Sequence, residues 1–382
     1  MDFALTEEQQ LLRHSVERLF ADHYAFEKRK GYLQETGGFS HTLWKLYAGL
    51  GLLGLPFAEE HGGSAGGPVE TMIVMEEIGR ALALEPYLAT VVLAGGAIRL
   101  GGGAAMRAEV LPKIAGGDLI LAFAHAEPQS RYDLADVATK ARRDGGGFVL
   151  DGAKTLVLHG DSAQKLVVSA RLSDGQRDRD GLALFLLDAD GSGVSRRGYA
   201  TIDGMRAAEV TLTGVRVAAD AAIGTPGAAY PLIERVVDTA IAALTAEAVG
   251  AMAATHRATV DYMKTRKQFG VTIGSFQALQ HRASEMFVAL EQARSMAMLA
   301  TMMAAEENVR ERRQAMSAAK VQVGRSSRFV GQQAVQIHGG ICMTMEASIG
   351  HYFKRLTALD TLFGDADYHL GLVAEGGGLV AA

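Results

Sequence analysis

The chain has 382 residues, 48% hydrophobic and 21% charged, the make-up of a folded globular protein and not of a disordered or collagenous one. At roughly 150 residues per domain, two or three domains are expected. A net charge of −5 provides no basic field for phosphates, so nucleic acid is not an expected partner. The single cysteine, Cys342, excludes an intrachain disulfide and any CxxC site, which points to a reducing, cytoplasmic setting.

The opening Met1-Asp2-Phe3-Ala4-Leu5 runs straight into Glu7 and Glu8, with neither the basic start nor the apolar core of an export signal. Thr6-Glu7-Glu8-Gln9 has the capping-box pattern and predicts a helix start, followed by Leu12, Val16, Leu19 and Phe20 at helical spacing. Residues 1–117 read as a helical domain. Inside it, Gly49-Leu50-Gly51-Leu52-Leu53-Gly54 spells GxGxxG. The strand that a dinucleotide fingerprint needs before it is replaced by a helical stretch with Trp44 and Leu46, and Pro56 follows, so that reading is rejected. The most apolar run, Pro86 to Ile98, is cut by Arg99 and falls short of the roughly 18 residues of a membrane span.

Residues 118–225 read as a β domain, with Phe148-Val149-Leu150, Leu166-Val167-Val168, Leu182 to Leu187 and Val210-Thr211-Leu212 as the clearest strands. Asp144-Gly145-Gly146-Gly147 and Asp174 to Asp180 are the expected hairpin loops. Residues 226–382 return to helical periodicity in long segments near 231–265, 275–305, 311–338 and 349–375. The class is α+β: helices, a β domain, then a bundle of long helices. Met286, Met296, Met298, Met302 and Met303 are expected to fill the bundle core, not to form a partner groove.

The eleven histidines are scattered without HExxH or HxH spacing, so no metal site is expected. No GxSxG elbow surrounds a serine, and Cys342 lacks the surroundings of a catalytic thiol. Arg310-Glu311-Arg312-Arg313, after Asn308, reads as a solvated turn and helix start.

Two segments put groups suited to a diphosphate at element ends. Arg266-Lys267-Gln268-Phe269-Gly270 closes a helix and leads into Ile273-Gly274-Ser275-Phe276. It combines the planar donor fork of arginine, the neutral amide of glutamine and a flat apolar ring. Taken alone, it also fits a helix C-terminus with basic residues on its dipole and Gly270 as the cap. Gln336-Ile337-His338-Gly339-Gly340 ends another helix, where two residues without Cβ let a ligand reach main-chain amides, although Gly-Gly is also an ordinary stop signal.

Together, in this order, the two segments resemble the Arg-x-Gln-Phe-Gly and Gln-x-His-Gly-Gly motifs of the acyl-CoA dehydrogenase family. Glu127-Pro128, Asp151-Gly152-Ala153-Lys154 and Gly224 stand where family members have comparable residues. The resemblance implies an N-terminal helical domain, a middle β domain and a C-terminal four-helix domain, assembled as tetramers with FAD across a dimer interface. It implies α,β-desaturation of an acyl-CoA thioester, with electron-transfer flavoprotein as acceptor. It assigns FAD contacts made across the interface to Arg266, Gln268, Phe269, Ile273, Phe276, Gln336, Ile337, Gly339 and Gly340.

The chain departs from the family where the middle domain meets the flavin ring. The small-residue loop is replaced by Ala126-Glu127-Pro128-Gln129-Ser130-Arg131-Tyr132-Asp133, and the Trp-Ile-Thr segment by Leu156-Val157-Leu158, which removes hydroxyls and an aromatic ring. Gly364 and Ala240 occupy the two positions at which family members carry the catalytic glutamate, so the base is unassigned. Glu247, about 10 Å along the helix from Ala240, and Asp365, beside Gly364, are the nearest substitutes. This pattern resembles subunits of bacterial heterotetrameric acyl-CoA dehydrogenases, and most nearly the small-subunit type of pimeloyl-CoA dehydrogenase. Two alternatives stand beside it: a self-sufficient homotetrameric dehydrogenase or oxidase with an unusual base, and a non-catalytic subunit that stabilises an active homologue.

Overall fold

The structure is a computed structural model that describes residues 5–173 and 175–378. The first four residues of the opening and Asp174 of the expected hairpin loop lie outside the described residues. Helices α1 (Glu7–His23), α2 (Phe26–Tyr32), α3 (His41–Gly49), α4 (Pro68–Ala81), α5 (Gly95–Gly101) and α6 (Ala104–Ala115) come first. Strands β1 (Leu121–Ala124), β2 (Lys140–Asp144), β3 (Gly147–Leu158) and β4 (Lys165–Arg171) follow, then β5 (Leu182–Asp188), β6 (Val194–Ala200), β7 (Arg206–Ala218) and β8 (Ala222–Gly227). After α7 (Tyr230–Thr265) come the short strands β9 (Lys267–Gln268) and β10 (Val271–Thr272). The chain closes with α8 (Gln277–Met303), α9 (Val309–His338), α10 (Ser348–Thr361) and α11 (Ala366–Glu375). The α+β order read from the sequence is the order observed.

By contacts the chain forms two compact units. One gathers the residues up to Lys30, Pro68–Ala83 and everything from Ile241 onward; the other gathers Gly31–Gly67 and Leu84–Ala240. In the first unit α1 begins at the expected capping box, Thr6 Oγ1 accepting from the Gln9 amide at 3.2 Å while Gln9 Oε1 accepts from the Thr6 amide at 3.1 Å. Two glycines let α4 and α7 cross at backbone contact: a Cβ on Gly79 would stand 1.9 Å from the Glu247 carbonyl oxygen, and one on Gly250 1.7 Å from that of Glu76. No other residue leaves room for such a crossing. Beside it the buried Glu76 accepts from Arg80 at 3.1 Å and Arg294 at 2.9 Å.

In the second unit the sheet runs β6-β7-β3-β2-β4-β5-β8, with β1 added in parallel to β4. Gly145, at φ 58°, turns β2 into β3 as expected. Strand β3 shifts register against β7 twice, between Leu150 and Gly152 and between Lys154 and Val157. The apolar run after Pro86 forms a π-helical turn, Leu88–Ala94, tied to the sheet by Thr90, whose hydroxyl donates to the Leu121 carbonyl at 2.9 Å. The GxGxxG letters lie at the end of α3, where Gly51 takes φ 74° as a helix stop.

Several expectations need correction. The segment expected at 349–375 is two helices, because Phe363 and Gly364 both adopt positive φ and break it. Arg312 is not solvated: it is 3% exposed and donates to the Glu306 carbonyl at 2.8 Å, while Asn308 caps α9. Of the five methionines Met286 is fully buried, whereas Met302 is exposed. One described helix, α7, is long and apolar enough to cross a membrane, and 89% of its most apolar window is buried inside the protein.

Candidate functional site

Arg266 follows α7 directly, and β9 and β10 then form a two-residue hairpin whose turn is Phe269-Gly270, with Val271 opposite Gln268 and Thr272 opposite Lys267. Both turn residues have positive φ, 53° and 81°, the geometry that matches strand twist. Glycine adopts this freely, but for phenylalanine it is strained, and Phe269 is 93% exposed. An exposed aromatic held in an unfavourable backbone well is a feature that a packed core would not produce. Phe276 approaches it edge-on at 6.2 Å between centroids. Ile273 is buried below the hairpin, and its amide donates to the Arg266 carbonyl at 2.8 Å.

The second segment is brought to the same end of the helical unit. Tyr262, one turn before Arg266, stacks on His338 with centroids 4.3 Å apart. Helix α9 stops at Gly339, φ 68°, and no atom lies within 4 Å of where a Cβ would stand on either Gly339 or Gly340. Gln336 is exposed and Ile337 is buried beneath it. The structure thus brings the two motifs together with Arg266, Gln268, Phe269, Gln336 and both glycines at the surface, and with Ile273 and Ile337 as supports. Arg266 engages no carboxylate among the described residues. A Cβ-free surface at Gly339 and Gly340, a guanidinium that meets no carboxylate among the described residues and an exposed ring fit the diphosphate and flat rings of FAD.

In the β unit the Ala126–Asp133 loop hangs on one buried ion pair. Glu127, 3% exposed, accepts from Lys154 Nζ at 2.6 Å, from the Ala138 and Thr139 amides at 2.7 and 3.0 Å, and from Gln129 at 2.8 Å. Burial raises its pKa, but the attraction and hydrogen bond of Lys154 outweigh this and lower it to about 2. Lys154 is lowered by burial to about 8 and also donates to Ser169 at 2.9 Å, which contacts His125 Nδ1 at 2.9 Å. Just beyond Lys154, at the second register shift, Leu156 stands at φ 49° and 41% exposed. A bulge next to a site re-aims a side chain, and here the re-aimed one is apolar. The letters of Glu127 and Lys154 are visible in the sequence, but their pairing across 27 residues has no local signal.

The positions of the missing base are closed as well as empty. Ala240 is fully buried. Gly364 has φ 111°, and a Cβ there would lie 2.6 Å from both His369 Nε2 and Tyr368 Cδ1. The turn is locked from both sides: Lys320 donates to the carbonyls of Leu359, Asp360 and Leu362 at 2.8–2.9 Å, and His369 donates to that of Phe363 at 2.9 Å. The substitutes are spent. Glu247, 2% exposed, accepts from Arg355 Nε at 2.7 Å, and Asp365 caps α11 by accepting from the Tyr368 amide at 2.8 Å.

The fold is α+β, with an exposed set of polar and aromatic side chains at one end of its helical unit. The chain matches the acyl-CoA dehydrogenase N-terminal, middle and C-terminal domains over residues 6–118, 122–215 and 231–378. It is 31% identical over 355 residues to the acyl-CoA dehydrogenase FadE12 of Mycobacterium tuberculosis, covering 91% of this chain and 90% of that one. It is 29% identical over 345 residues to the probable acyl-CoA dehydrogenase YngJ of Bacillus subtilis, covering 89% and 90%. A solved variant of the Tcur3481-Tcur3483 steroid ACAD superposes with a TM-score of 0.87 at 29% identity, over 97% of both chains. The chain belongs to the acyl-CoA dehydrogenase family and is an FAD-dependent oxidoreductase by that membership.

Proposed function

We propose that this chain is one of two homologous subunits that share each flavin site of a heterotetrameric acyl-CoA dehydrogenase, converting an acyl-CoA to its 2-enoyl-CoA. The observation that carries the reading is the pairing of an exposed cluster at Arg266, Gln268, Gln336, Gly339 and Gly340 with a crowded turn at Gly364, where a Cβ would lie 2.6 Å from His369 and Tyr368. Arg266 would hold the diphosphate of FAD, Gly339 and Gly340 would let it approach the backbone, Phe269 would cover a flat part of it, and Ile273 and Ile337 would support both segments from below. Bound FAD supplies the acceptor for the hydride that leaves the β-carbon. The α-proton needs a carboxylate within hydrogen-bond reach, and Glu247 and Asp365 are both engaged elsewhere, so the partner chain provides the base.

The Tcur3481-Tcur3483 enzyme, by its name a two-chain steroid ACAD, supports the two-chain arrangement, as does the resemblance to the pimeloyl-CoA small-subunit type. Electron-transfer flavoprotein is the proposed acceptor and the cytoplasm the proposed location. The test is flavin retention in the mixed complex. Arg266→Ala should weaken it by about 30-fold, the value of a charge-assisted contact. Unchanged flavin content after gel filtration would remove Arg266 from the site.

A further inference from the structure

The eight-stranded sheet leaves two stretches of strand paired on one side only. Strand β5 pairs with β4 along its whole length, but on its other side β8 meets it at Leu184 and Phe185 alone, so Leu186–Asp188 have no strand there. Strand β7 pairs with β3 as far as Ala218, whereas β6 accompanies it only from Arg206 to Leu212. Two glycines end that company. Gly193 takes φ 85°, and a Cβ on it would stand 2.3 Å from the Thr213 carbonyl oxygen. Thr213 and Gly214 then stand opposite the single residue Asp151, whose Oδ1 accepts from the Gly214 amide at 2.6 Å. Such a bulge bends the strand that carries it, and β7 runs on from Gly214 to Ala218 with one side bare. Successive residues of a strand turn their main-chain donors and acceptors to alternate sides, so a bare side is a row of groups ready for another strand.

Both stretches line one cleft of about 590 Å³, and every residue around it belongs to the same compact unit. The start of α6 forms a third wall through Met106, Glu109 and Val110. Apolar surface comes from Met106 and Val110 on the helix and from Leu186, Val215 and Val217 on the strands. The charges in the lining do not cancel. Lys165 is paired with Asp188 at 2.6 Å, and Arg216 with Asp144. Glu109 has Lys113 at 3.2 Å, but Asp220 meets no cation among the described residues. With both cations of the lining already paired, a small anion finds no free partner there, and the charge left over is a carboxylate. A recess walled by a helix also differs from an open edge: it admits a single extended chain and keeps out the edge of a second sheet.

We propose that this cleft is a docking site for an extended basic segment of a partner protein, which adds a strand along Gly214–Ala218 and Leu186–Asp188, sets alternate apolar side chains against Leu186, Val215 and Met106, and places a Lys or Arg on Asp220. In this mode main-chain hydrogen bonds supply the affinity, and the alternate side-chain contacts supply the specificity. The surface shares no residue with the flavin contacts, so it stands or falls apart from the dehydrogenase reading.

The test uses the full chain and a dye-labelled, amidated Lys-Val-Thr-Val-Thr-Val-Lys peptide, with fluorescence anisotropy for affinity and hydrogen exchange read by mass spectrometry for location. The peptide should slow exchange at 186–188 and 214–218. Its glutamate-flanked counterpart should bind at least about 10-fold more weakly at low salt, as charge complementarity implies. N-methylation of the valine amides, which all face one side of the strand, should weaken binding about 30-fold, because about two main-chain bonds are lost. Asp220→Lys, an exposed position, should reverse the preference between the two peptides. Met106→Trp, on the half-buried helix wall, should fill the cleft and weaken both, and neither variant should alter flavin retention in the mixed complex. Equal binding of the N-methylated peptide, a preference unchanged in Asp220→Lys, or no protection at the two stretches with either peptide overturns the proposal. Protection of the same amides without peptide, rising with chain concentration alongside a larger sedimentation coefficient, would assign the cleft to a second copy of the chain and overturn it too.

Discussion

The hairpin after α7 and the turn between α10 and α11 are both short connections with paired positive-φ residues, yet they are built to opposite ends. At Phe269-Gly270 the backbone is strained with an aromatic ring turned outward, and the neighbouring Arg266 meets no carboxylate among the described residues. At Phe363-Gly364 similar torsions are used to close the turn, and three polar side chains, Lys320, Asp365 and His369, are consumed in holding it. The same backbone device therefore exposes an aromatic ring in one place and crowds a turn in the other. The distinction lies in whether the surrounding donors are spent.

That contrast can be broken most forcefully at Glu247. Glu247→Ala should cost about 3 kcal/mol in denaturant unfolding, because the buried Arg355 loses its carboxylate contact to Glu247. Glu247→Gln should keep whatever turnover the mixed complex has. Loss of turnover with unchanged stability would instead make Glu247 the base. Restoring the family's carboxylate by Gly364→Glu should fail for a steric reason. It places a side chain at φ 111° against Tyr368 and His369, so about 3 kcal/mol of stability should be lost and no activity gained. An active and stable Gly364→Glu protein would show that the turn is not closed.

The lock has a pH signature. His369 is held neutral, its pKa lowered to about 4 first by burial and then by Lys320. The unfolded state therefore binds the extra proton between pH 4 and 6.5, and stability falls as pH falls through that window. His369→Gln should flatten this part of a plot of unfolding midpoint against pH, although the same substitution should lower the midpoint at pH 7. A slope as steep as before would assign the acid sensitivity elsewhere, with His125, lowered to about 3, the next group to examine. The smallest effect is expected at Asp365→Asn. Asparagine caps a helix nearly as well, so the change should stay within about 0.5 kcal/mol with turnover intact.

The sequence was most readable where chemistry sits in consecutive residues. The capping box at Thr6, the β2–β3 turn at Gly145 and the two motifs at Arg266 and Gln336 all depend on neighbours within a few positions, and each stands where it was expected. Periodicity carried the reading across 349–375 without a break, because Leu362, Phe363 and Gly364 continue an apolar pattern while their torsions do not continue a helix. The Lys154–Glu127 anchor, the reciprocal glycines Gly79 and Gly250, and the cleft between β5 and β7 are relations between distant segments. A glycine's letter shows freedom; only the fold shows whether a backbone, a void or a ligand uses it.

The central claim is that this chain holds an incomplete flavin site, and the visible absorption spectrum tests it most directly. The chain should be purified alone, saturated with FAD and passed through gel filtration, then compared with the same chain co-expressed with a homologous partner. The account predicts colourless protein alone and bound flavin only in the mixed complex. Near-stoichiometric flavin on the chain by itself would contradict it and restore the self-sufficient homotetramer.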